Sequence, residues 1–381
     1  MKIAVVYHYF AHYRKSVINE IINECERKGN DITFLADRVS NEPNLELYHF
    51  EEHENKFDVI KNIWISKFLW QKGLIRALMK SSPDVIVFLG QFNFISTWVA
   101  TFLFRALGKK IIFWGHGVYG SEKGLKKFIR NRFNNLPHIY MTYGHHAKDL
   151  MLKSQAKPII NVIYNSLDVY HQNEFYSKLN SRNHSIQPHN EYIRHKTTLI
   201  FIGRLTKIKK IDLLIEALSM LNVNEYRLLI VGAGPEENAL KSLVKKLNLD
   251  SCVTFVGAIH DEEKISSMIY ESDICVSPGN VGLTAMHSLI YGTPVITNDD
   301  FNHQMPEFES IRNTVNGGFF KVDNAHSLAD TINFWREKII KEGRGSIRDK
   351  CREPILKYYN PENQTRLILE QVYKNVKESE K

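Results

Sequence analysis

Thr198-Leu199-Ile200-Phe201-Ile202, the basic stretch Gly203-Arg204-Leu205-Thr206-Lys207-Ile208-Lys209-Lys210, the helical pattern over residues 211–221 and then Arg227-Leu228-Leu229-Ile230-Val231 decide the fold. A short apolar run closed by glycine reads as a buried strand, and the next apolar run, one helix later, as its parallel neighbour. Strand and helix keep alternating downstream. Residues 236–247 are amphipathic, Val253-Thr254-Phe255-Val256 is a strand, 261–270 a helix, and Ile274-Cys275-Val276 and Pro294-Val295-Ile296-Thr297 two more strands. Upstream runs an earlier series: Ile3-Ala4-Val5-Val6-Tyr7, Asp31-Ile32-Thr33-Phe34-Leu35, Val85-Ile86-Val87-Phe88-Leu89, Lys110-Ile111-Ile112-Phe113-Trp114, Ile139-Tyr140-Met141-Thr142 and Ile159-Ile160-Asn161-Val162-Ile163, with helical patterns such as 16–28 between them. Residues 172–198 are polar and follow neither period, which reads as an exposed connection carrying a short helix around 174–179. The expected fold class is α/β, with two Rossmann-like domains built on parallel sheets. Their expected bounds are 1–170, a polar connection 171–197, a second domain 198–355, and a C-terminal helix within 356–381 packing back on the first. Ligands of such sheets bind beyond the carboxyl ends of the strands, here in a cleft that the two sheets face across.

The 381 residues, with 43% hydrophobic and 24% charged side chains, belong to a globular chain rather than a fibrous or disordered one. Fifty Lys and Arg against 42 Asp and Glu leave a net charge of +8, which suits an anionic partner. These cations spread over both halves without a recognised nucleic-acid motif, so no nucleic acid is expected. Cys25, Cys252, Cys275 and Cys351 are scattered, which argues against a zinc site and for a reducing cytosol. The opening Met1-Lys2-Ile3-Ala4-Val5-Val6-Tyr7 is too short for a signal segment. The most apolar later stretch, 92–104, ends at Arg105, short of the roughly 20 residues a bilayer span needs. The expectation is a cytoplasmic protein.

Three segments carry chemistry. In the first, Arg204 and Lys209 are spaced to converge on an anion beside a helix start, where free N–H groups add to the attraction; solvated loop cations are the plain alternative. In the second, Val231-Gly232-Ala233-Gly234-Pro235-Glu236-Glu237 begins like a dinucleotide fingerprint. Glu237 stands at the third glycine position and no acid closes the next strand, which argues against a nicotinamide cofactor. The third is Ser277-Pro278-Gly279-Asn280-Val281-Gly282-Leu283-Thr284-Ala285-Met286-His287-Ser288-Leu289-Ile290-Tyr291-Gly292-Thr293-Pro294. Small residues open a helix near Leu283, so the amides of Leu283, Thr284 and Ala285 are expected to face phosphate oxygens, while Met286, Leu289 and Ile290 read as core and Gly292 as the helix end.

Together these segments resemble the donor domain of the GT-B glycosyltransferases, specifically glycosyltransferase family 4 (glycosyl transferases group 1). The resemblance is strong from Phe201 to about Phe320 and weak before that. It implies a GT-B architecture and a cytoplasmic hexosyltransferase-type enzyme. Such an enzyme moves a sugar from a nucleoside-diphosphate donor to a hydroxyl of a glycan or lipid-linked oligosaccharide, with retention, in polysaccharide or surface-glycan assembly. By resemblance Gly203, Arg204 and Lys209 meet the diphosphate, together with Gly282, Leu283 and Thr284, while Gly257, Ala258 and Ile259 face the base. Asn165-Ser166-Leu167-Asp168 looks like the family's N-G-x-D turn, and Pro306-Glu307 and Asn316-Gly317 echo later elements. The family's two glutamates, separated by seven residues, correspond here to Gly279 and His287. His287 is then left to bond a ribose hydroxyl and Asn280 to contact the sugar. No metal or other cofactor is implied, with the adjacent Asp299-Asp300 as a weak metal contact left open.

In the first half, Phe113-Trp114-Gly115-His116-Gly117-Val118-Tyr119-Gly120 ends a strand on a glycine-flanked histidine, which fits a structural or a functional role equally. By resemblance His116 lies beside the reacting sugar. Where the family places a glycine-rich acceptor loop, this chain has Tyr7-His8-Tyr9-Phe10-Ala11-His12-Tyr13-Arg14, so His12, Tyr13 and Arg14 become acceptor-side candidates, Arg14 for a phosphate. Residues 122–133, from Glu122 to Phe133, set Leu125, Phe128, Ile129 and Phe133 against Lys126, Lys127, Arg130 and Arg132. This pattern fits either a peripheral contact with the anionic inner face of a membrane or a half-buried helix with a solvated face. The rival to catalysis is a GT-B-like nucleotide-sugar or glycan binder that has lost turnover.

Overall fold

The computed structural model describes all residues except 43–44, 119, 121, 185–195 and 375–381. Its strands in chain order are β1 (Lys2–Val6), β2 (Asp31–Ala36), β3 (Phe57–Val59), β4 (Lys61–Ile65), β5 (Phe68–Lys72), β6 (Val85–Leu89), β7 (Lys110–Gly115), β8 (Ile139–Thr142), β9 (Ile159–Val162), β10 (Thr197–Ile202), β11 (Tyr226–Val231), β12 (Val253–Gly257), β13 (Ile274–Ser277), β14 (Val295–Asn298) and β15 (Gly317–Phe320). The helices are α1 (Lys15–Arg27), α2 (Leu74–Ser81), α3 (Ile95–Ala106), α4 (Gly124–Asn134), α5 (His145–Lys153), α6 (Val169–His184), α7 (Ile211–Ser219), α8 (Glu237–Lys246), α9 (Glu262–Glu271), α10 (Thr284–Ile290), α11 (Ala325–Glu342), α12 (Arg344–Tyr358) and α13 (Pro361–Tyr373). Two compact units result: one of Met1–Asp168 with Pro361–Lys381, the other of Val169–Asn360.

The first unit's sheet runs β3-β2-β1-β6-β7-β8-β9 with every pair parallel. Alternate residues of β1 enter opposite cores: Ile3 and Val5 join one that includes Val17, Ile21 and Ile368 of α1 and α13, and Ala4 and Val6 join one with Leu74, Leu78 and Phe104 of α2 and α3. Helices on both faces explain why these strands are apolar throughout rather than alternating. The antiparallel β4–β5 ribbon is a feature the alternating reading passes over; one side of it, Ile63, Ile65, Phe68 and Trp70, stays exposed.

The second unit's sheet runs β12-β11-β10-β13-β14-β15, again all parallel. Both sheets reverse their strand order at the strand that opens the unit, between β1 and β6 and between β10 and β13. Such reversals leave a crevice beyond the carboxyl ends.

The polar segment read as a connection begins instead as α6, a full helix over Val169–His184; the rest of the expected connection, 185–195, lies outside the described residues. Sequence periodicity misses α6 because aromatic–cation stacking holds it rather than an apolar stripe. Arg352 lies 3.3 Å over the Tyr176 ring and donates to Asn173 Oδ1 at 2.6 Å, and Tyr270 of α9 packs edge-on against Tyr176.

Candidate functional site

Backbone contacts that only glycine permits lace together the strand ends of the second unit. A Cβ on Gly232 would lie 1.9 Å from the Gly203 carbonyl oxygen, one on Gly234 2.3 Å from that of Leu205, and one on Gly279 2.0 Å from that of Ile208. At Gly203 and Gly232, φ values of +151° and +146° also exclude ordinary side chains. The amides follow the same lacing: Gly203 donates to Val231 O, Leu205 to Ala233 O, Gly232 to Gly257 O and Gly279 to Lys209 O, all at 2.8–3.0 Å. The 3₁₀ turn Lys207–Lys209 is thereby laid on the loop that follows β13.

On that loop Lys209 Nζ donates to the Asn280 carbonyl at 2.7 Å. Burial lowers the Lys209 pKa, and the Glu307 carboxylate, itself buried in the turn Pro306–Ser310, pulls it back up. Arg204 is exposed and makes no side-chain hydrogen bond or ion pair among the described residues. Gly282 and Leu283 are partly buried at the head of α10. The expectation of three available amides there needs correction: the Ala285 N–H already donates to Gly282 O at 3.0 Å, tightening the first turn, and only those of Leu283 and Thr284 stand at the open start. Gly257 has φ +85°, Ala258 is exposed and Ile259 half-buried just past β12.

Sequence reasoning missed the network that holds this loop. Gln304 accepts from the Val281 amide at 2.7 Å and donates to Gly279 O and Thr297 Oγ1, while Asn298 Nδ2 donates to Pro278 O and Gly279 O at 2.9 Å. Asn280 Oδ1 is buried with no partner among the described residues. Asp299 and Asp300 are engaged locally, Asp299 accepting from the Val322 amide and Asp300 pairing with His303 at 2.8 Å.

His287, where the resemblance expects a glutamate, does not stand alone. Its Nε2 lies 2.9 Å from Glu262 Oε1, and the Tyr291 hydroxyl donates to the same oxygen at 2.6 Å. Burial pushes the Glu262 carboxyl up, but the bonds from His287 and Tyr291 outweigh it and hold the pKa below the ordinary value. A carboxylate from the start of α9 thus reaches the position through an imidazole. Gly279 has no such substitute. The clash with Ile208 O and with Lys209 Cα, at 2.6 Å, rules out any side chain there.

In the first unit the candidates separate. His12 is exposed and reaches toward Glu46 at 3.9 Å. Arg14 turns inward from the 3₁₀ turn His12–Arg14 at the head of α1 and donates from Nη2 to the Tyr143 hydroxyl at 2.7 Å. Its guanidinium carbon lies 5.2–5.7 Å from the ring centres of Tyr7, Tyr13, Trp114 and Tyr143. His116, just past β7, packs its ring 5.0 Å from Tyr143. Its pKa is lowered to about 4, by burial first and then by Arg14 and Arg130. Burial and Arg14 lower that of His8 to about 3. Tyr7, Trp114 and Tyr143 carried no separate signal, being strand-end aromatics of three distant segments; Tyr119 lies outside the described residues.

The helix expected from residue 122 begins at Gly124. Glu122 precedes it and pairs with the buried Arg130 at 2.6 Å. Phe133 enters the core, whereas Leu125, Phe128 and Ile129 are exposed beside Lys126 and Lys127, so the half-buried reading fails for three of the four apolar residues. Among the described residues no helix is long and apolar enough to cross a membrane.

Comparison with known proteins bears on the second unit. Residues 185–351 match the family model Glycosyl transferases group 1. The second unit carries a Glycosyl transferases group 1 domain. The chain is 26% identical over 208 residues to an uncharacterized 41.2 kDa protein of the cps region of Klebsiella pneumoniae. That match takes in 52% of this chain and 50% of the relative, so the chain spans about half the length of the curated relative it matches. Among solved structures it is similar to Anabaena HepE in complex with UDP (TM-score 0.70, 16% identity, 98% of this chain and 99% of that one). It is also similar to the lipopolysaccharide outer core galactosyltransferase WaaB in its apo form (TM-score 0.71, 16% identity, 98% and 99%). These neighbours are GT-B glycosyltransferases, and the two parallel-sheet units described above share their fold.

Proposed function

We propose that the protein is a glycosyltransferase of the family 4 type. In this reading it transfers a sugar with retention from a nucleoside-diphosphate donor to a hydroxyl of a glycan or lipid-linked acceptor, in polysaccharide or surface-glycan assembly. The observation that carries it is the glycine-laced junction of β10, β11 and β13, which presents Lys209 at the Asn280 carbonyl beside the start of α10, with exposed Arg204 on the same loop. A preorganised cation there stabilises charge that builds on a departing diphosphate. The bond from the sugar C1 to the diphosphate oxygen breaks, the bond from C1 to the acceptor oxygen forms on the same face, and the acceptor proton passes to a diphosphate oxygen. With the two cations meeting the diphosphate, we propose no metal or other cofactor. UDP is the first nucleotide to test, because it is the one named with HepE. In the family's ribose position, the Glu262–His287 pair takes over from the glutamate.

Titration of UDP into the wild type and into an Arg204→Ala/Lys209→Ala variant tests this reading. Two charge-assisted interactions at about 1.5–3 kcal/mol each predict a loss of affinity of roughly a hundredfold or more. Unchanged affinity in a folded double variant rejects the site. The blocked Gly279 position favours one rival, a binder without turnover; release of UDP on adding acceptor, above the hydrolytic background, excludes it. The exposed Leu125, Phe128 and Ile129 of α4, adjacent in sequence to Lys126 and Lys127, support a peripheral site on an anionic inner-membrane face.

A further inference from the structure

Arg14 is an anomaly for a structural arginine. Buried guanidinium groups are normally paired with carboxylates, because an uncompensated buried charge is costly. Here no carboxylate is among the described groups that raise its pKa, which are three tyrosines, and only one of its N–H groups has an acceptor among the described residues, the Tyr143 hydroxyl. Its Nη1 is closed off from solvent with no partner among the described residues. The same holds for the indole Nε1 of Trp114, a residue 3% exposed, and for Nδ1 of His8. Two of these are donors that can only give protons, and they lie on one ring-lined cage at the ends of β1 and β7. The burial and cation that lower the pKa values of His8 and His116 keep both imidazoles neutral, so no second cation crowds the cage. The head of α1 follows directly, with no acid in its first turn and no capping side chain. Ring faces recover part of the lost solvation of the cation, at about 0.5–2 kcal/mol apiece at most, but they do not accept the remaining protons.

We propose that this cage is an anion site, in which Arg14 Nη1 and Trp114 Nε1 receive a phosphate or carboxylate group borne by the acceptor. The role assigned to the anion as part of an acceptor rests on the glycosyltransferase reading; the site itself does not. Tyr13 is its exposed wall, a residue 40% exposed with its ring centre 5.4 Å from the guanidinium carbon, and rotation of that side chain opens the cage. Neutral glycan acceptors then bind less well than ones carrying a charge near the receiving hydroxyl.

Thermal unfolding with inorganic phosphate, with acetate, and with sodium chloride at matched ionic strength tests the site. The expected result is a saturable rise of the midpoint with phosphate, acetate or both that chloride does not reproduce. Which of the two acts identifies the anion as phosphate-like or carboxylate-like. Arg14→Met abolishes the rise and, by removing a poorly compensated charge, leaves the anion-free midpoint unchanged or higher. Trp114→Phe keeps a ring in place and weakens the effect about tenfold. Arg204→Ala/Lys209→Ala retains it. The proposal is overturned if no saturable rise occurs, if the rise vanishes in the Arg204/Lys209 variant but survives Arg14→Met, or if Arg14→Met lowers the anion-free midpoint by many degrees, which marks a structural arginine. UDP titrated into Arg14→Met keeps the two readings apart: lost anion response with retained UDP binding supports this site alone, and retained anion response with no UDP binding in the wild type rejects only the donor site.

Discussion

The carboxyl ends of the two sheets solve the same problem in opposite ways. In the second unit most loop groups are satisfied internally: amides, carbonyls and the side chains of Gln304 and Asn298 close on one another, Lys209 already holds a carbonyl, and Asn280 Oδ1 alone on that loop is buried without a partner among the described residues. In the first unit the strand ends carry bulky aromatics around a cation, and polar atoms of His8, Arg14 and Trp114 stay unpartnered among the described residues. A site built from backbone is rigid before any ligand arrives and reads the shape of a constant group such as a diphosphate. A site built from side chains leaves its hydrogen-bonding capacity for a variable partner.

The largest effect expected from this contrast belongs to the backbone-built site. Gly232→Ala places a methyl 1.9 Å from Gly203 O at a φ of +146°, combining overpacking with backbone strain. Together these are worth about 2–6 kcal/mol, enough to destabilise the second unit or abolish UDP binding. Gly279→Glu, which puts a carboxylate where the resemblance expects one, fails for the same reason. A folded Gly279→Glu variant with improved UDP affinity breaks the comparison.

The aromatic site responds to acid instead. His8 and His116 have folded pKa values of about 3 and about 4 against an ordinary 6.5. The unfolded chain therefore binds more protons below pH 6.5, and the stability of the native form is full above that value and falls as pH drops toward 4. By pH 5 each histidine removes roughly 2 kcal/mol. Denaturant unfolding at pH 7 and pH 5 reads the loss, and His8→Phe, which suits a neighbourhood of Phe94 and Trp64, should shrink the difference by about half. A pH-independent midpoint contradicts the burial of both rings.

A smaller change is expected at His287. Replacing Glu262 by Gln removes the acceptor charge that orients the imidazole, and replacing His287 by Ala removes the imidazole itself. Each weakens UDP about tenfold, or 1.4 kcal/mol, and leaves 2′-deoxy-UDP less affected. Equal losses for both nucleotides place the pair away from the ribose. This pair also shows where the sequence stops being legible. The turns around Gly203, Gly232, Gly279 and Gly292 could be read directly, because glycine and proline report local backbone demands. Glu262 and His287 are 25 residues apart on different helices, and nothing in either segment announces the other. The cage around Arg14 is less legible still, since β1, β7 and β8 each contribute one aromatic that alone looks like core. Exposure failed for a related reason at α4. Its apolar period fits a buried face or a membrane contact alike, and of its four apolar residues only Phe133 finds a core position, while the buried cation Arg130 takes the place that an apolar side chain would fill.

The smallest expected effect tests whether the return of α13 to the first unit is independent of the donor site. Ser166 Oγ donates to Gln364 Oε1 at 2.6 Å, and Gln364 Nε2 donates to Tyr164 O at 2.7 Å, all within the first unit. Ser166 thus latches the C-terminal helix, while Lys110 Nζ caps its far end on Gln371 O and Val372 O. Ser166→Gly leaves Gln364 Oε1 buried without that donor, at about 1 kcal/mol. Calorimetry should show a midpoint lowered by a few degrees with UDP affinity unchanged. A drop in UDP affinity of tenfold or more would tie the latch to the backbone-built site and remove the separation between the two regions.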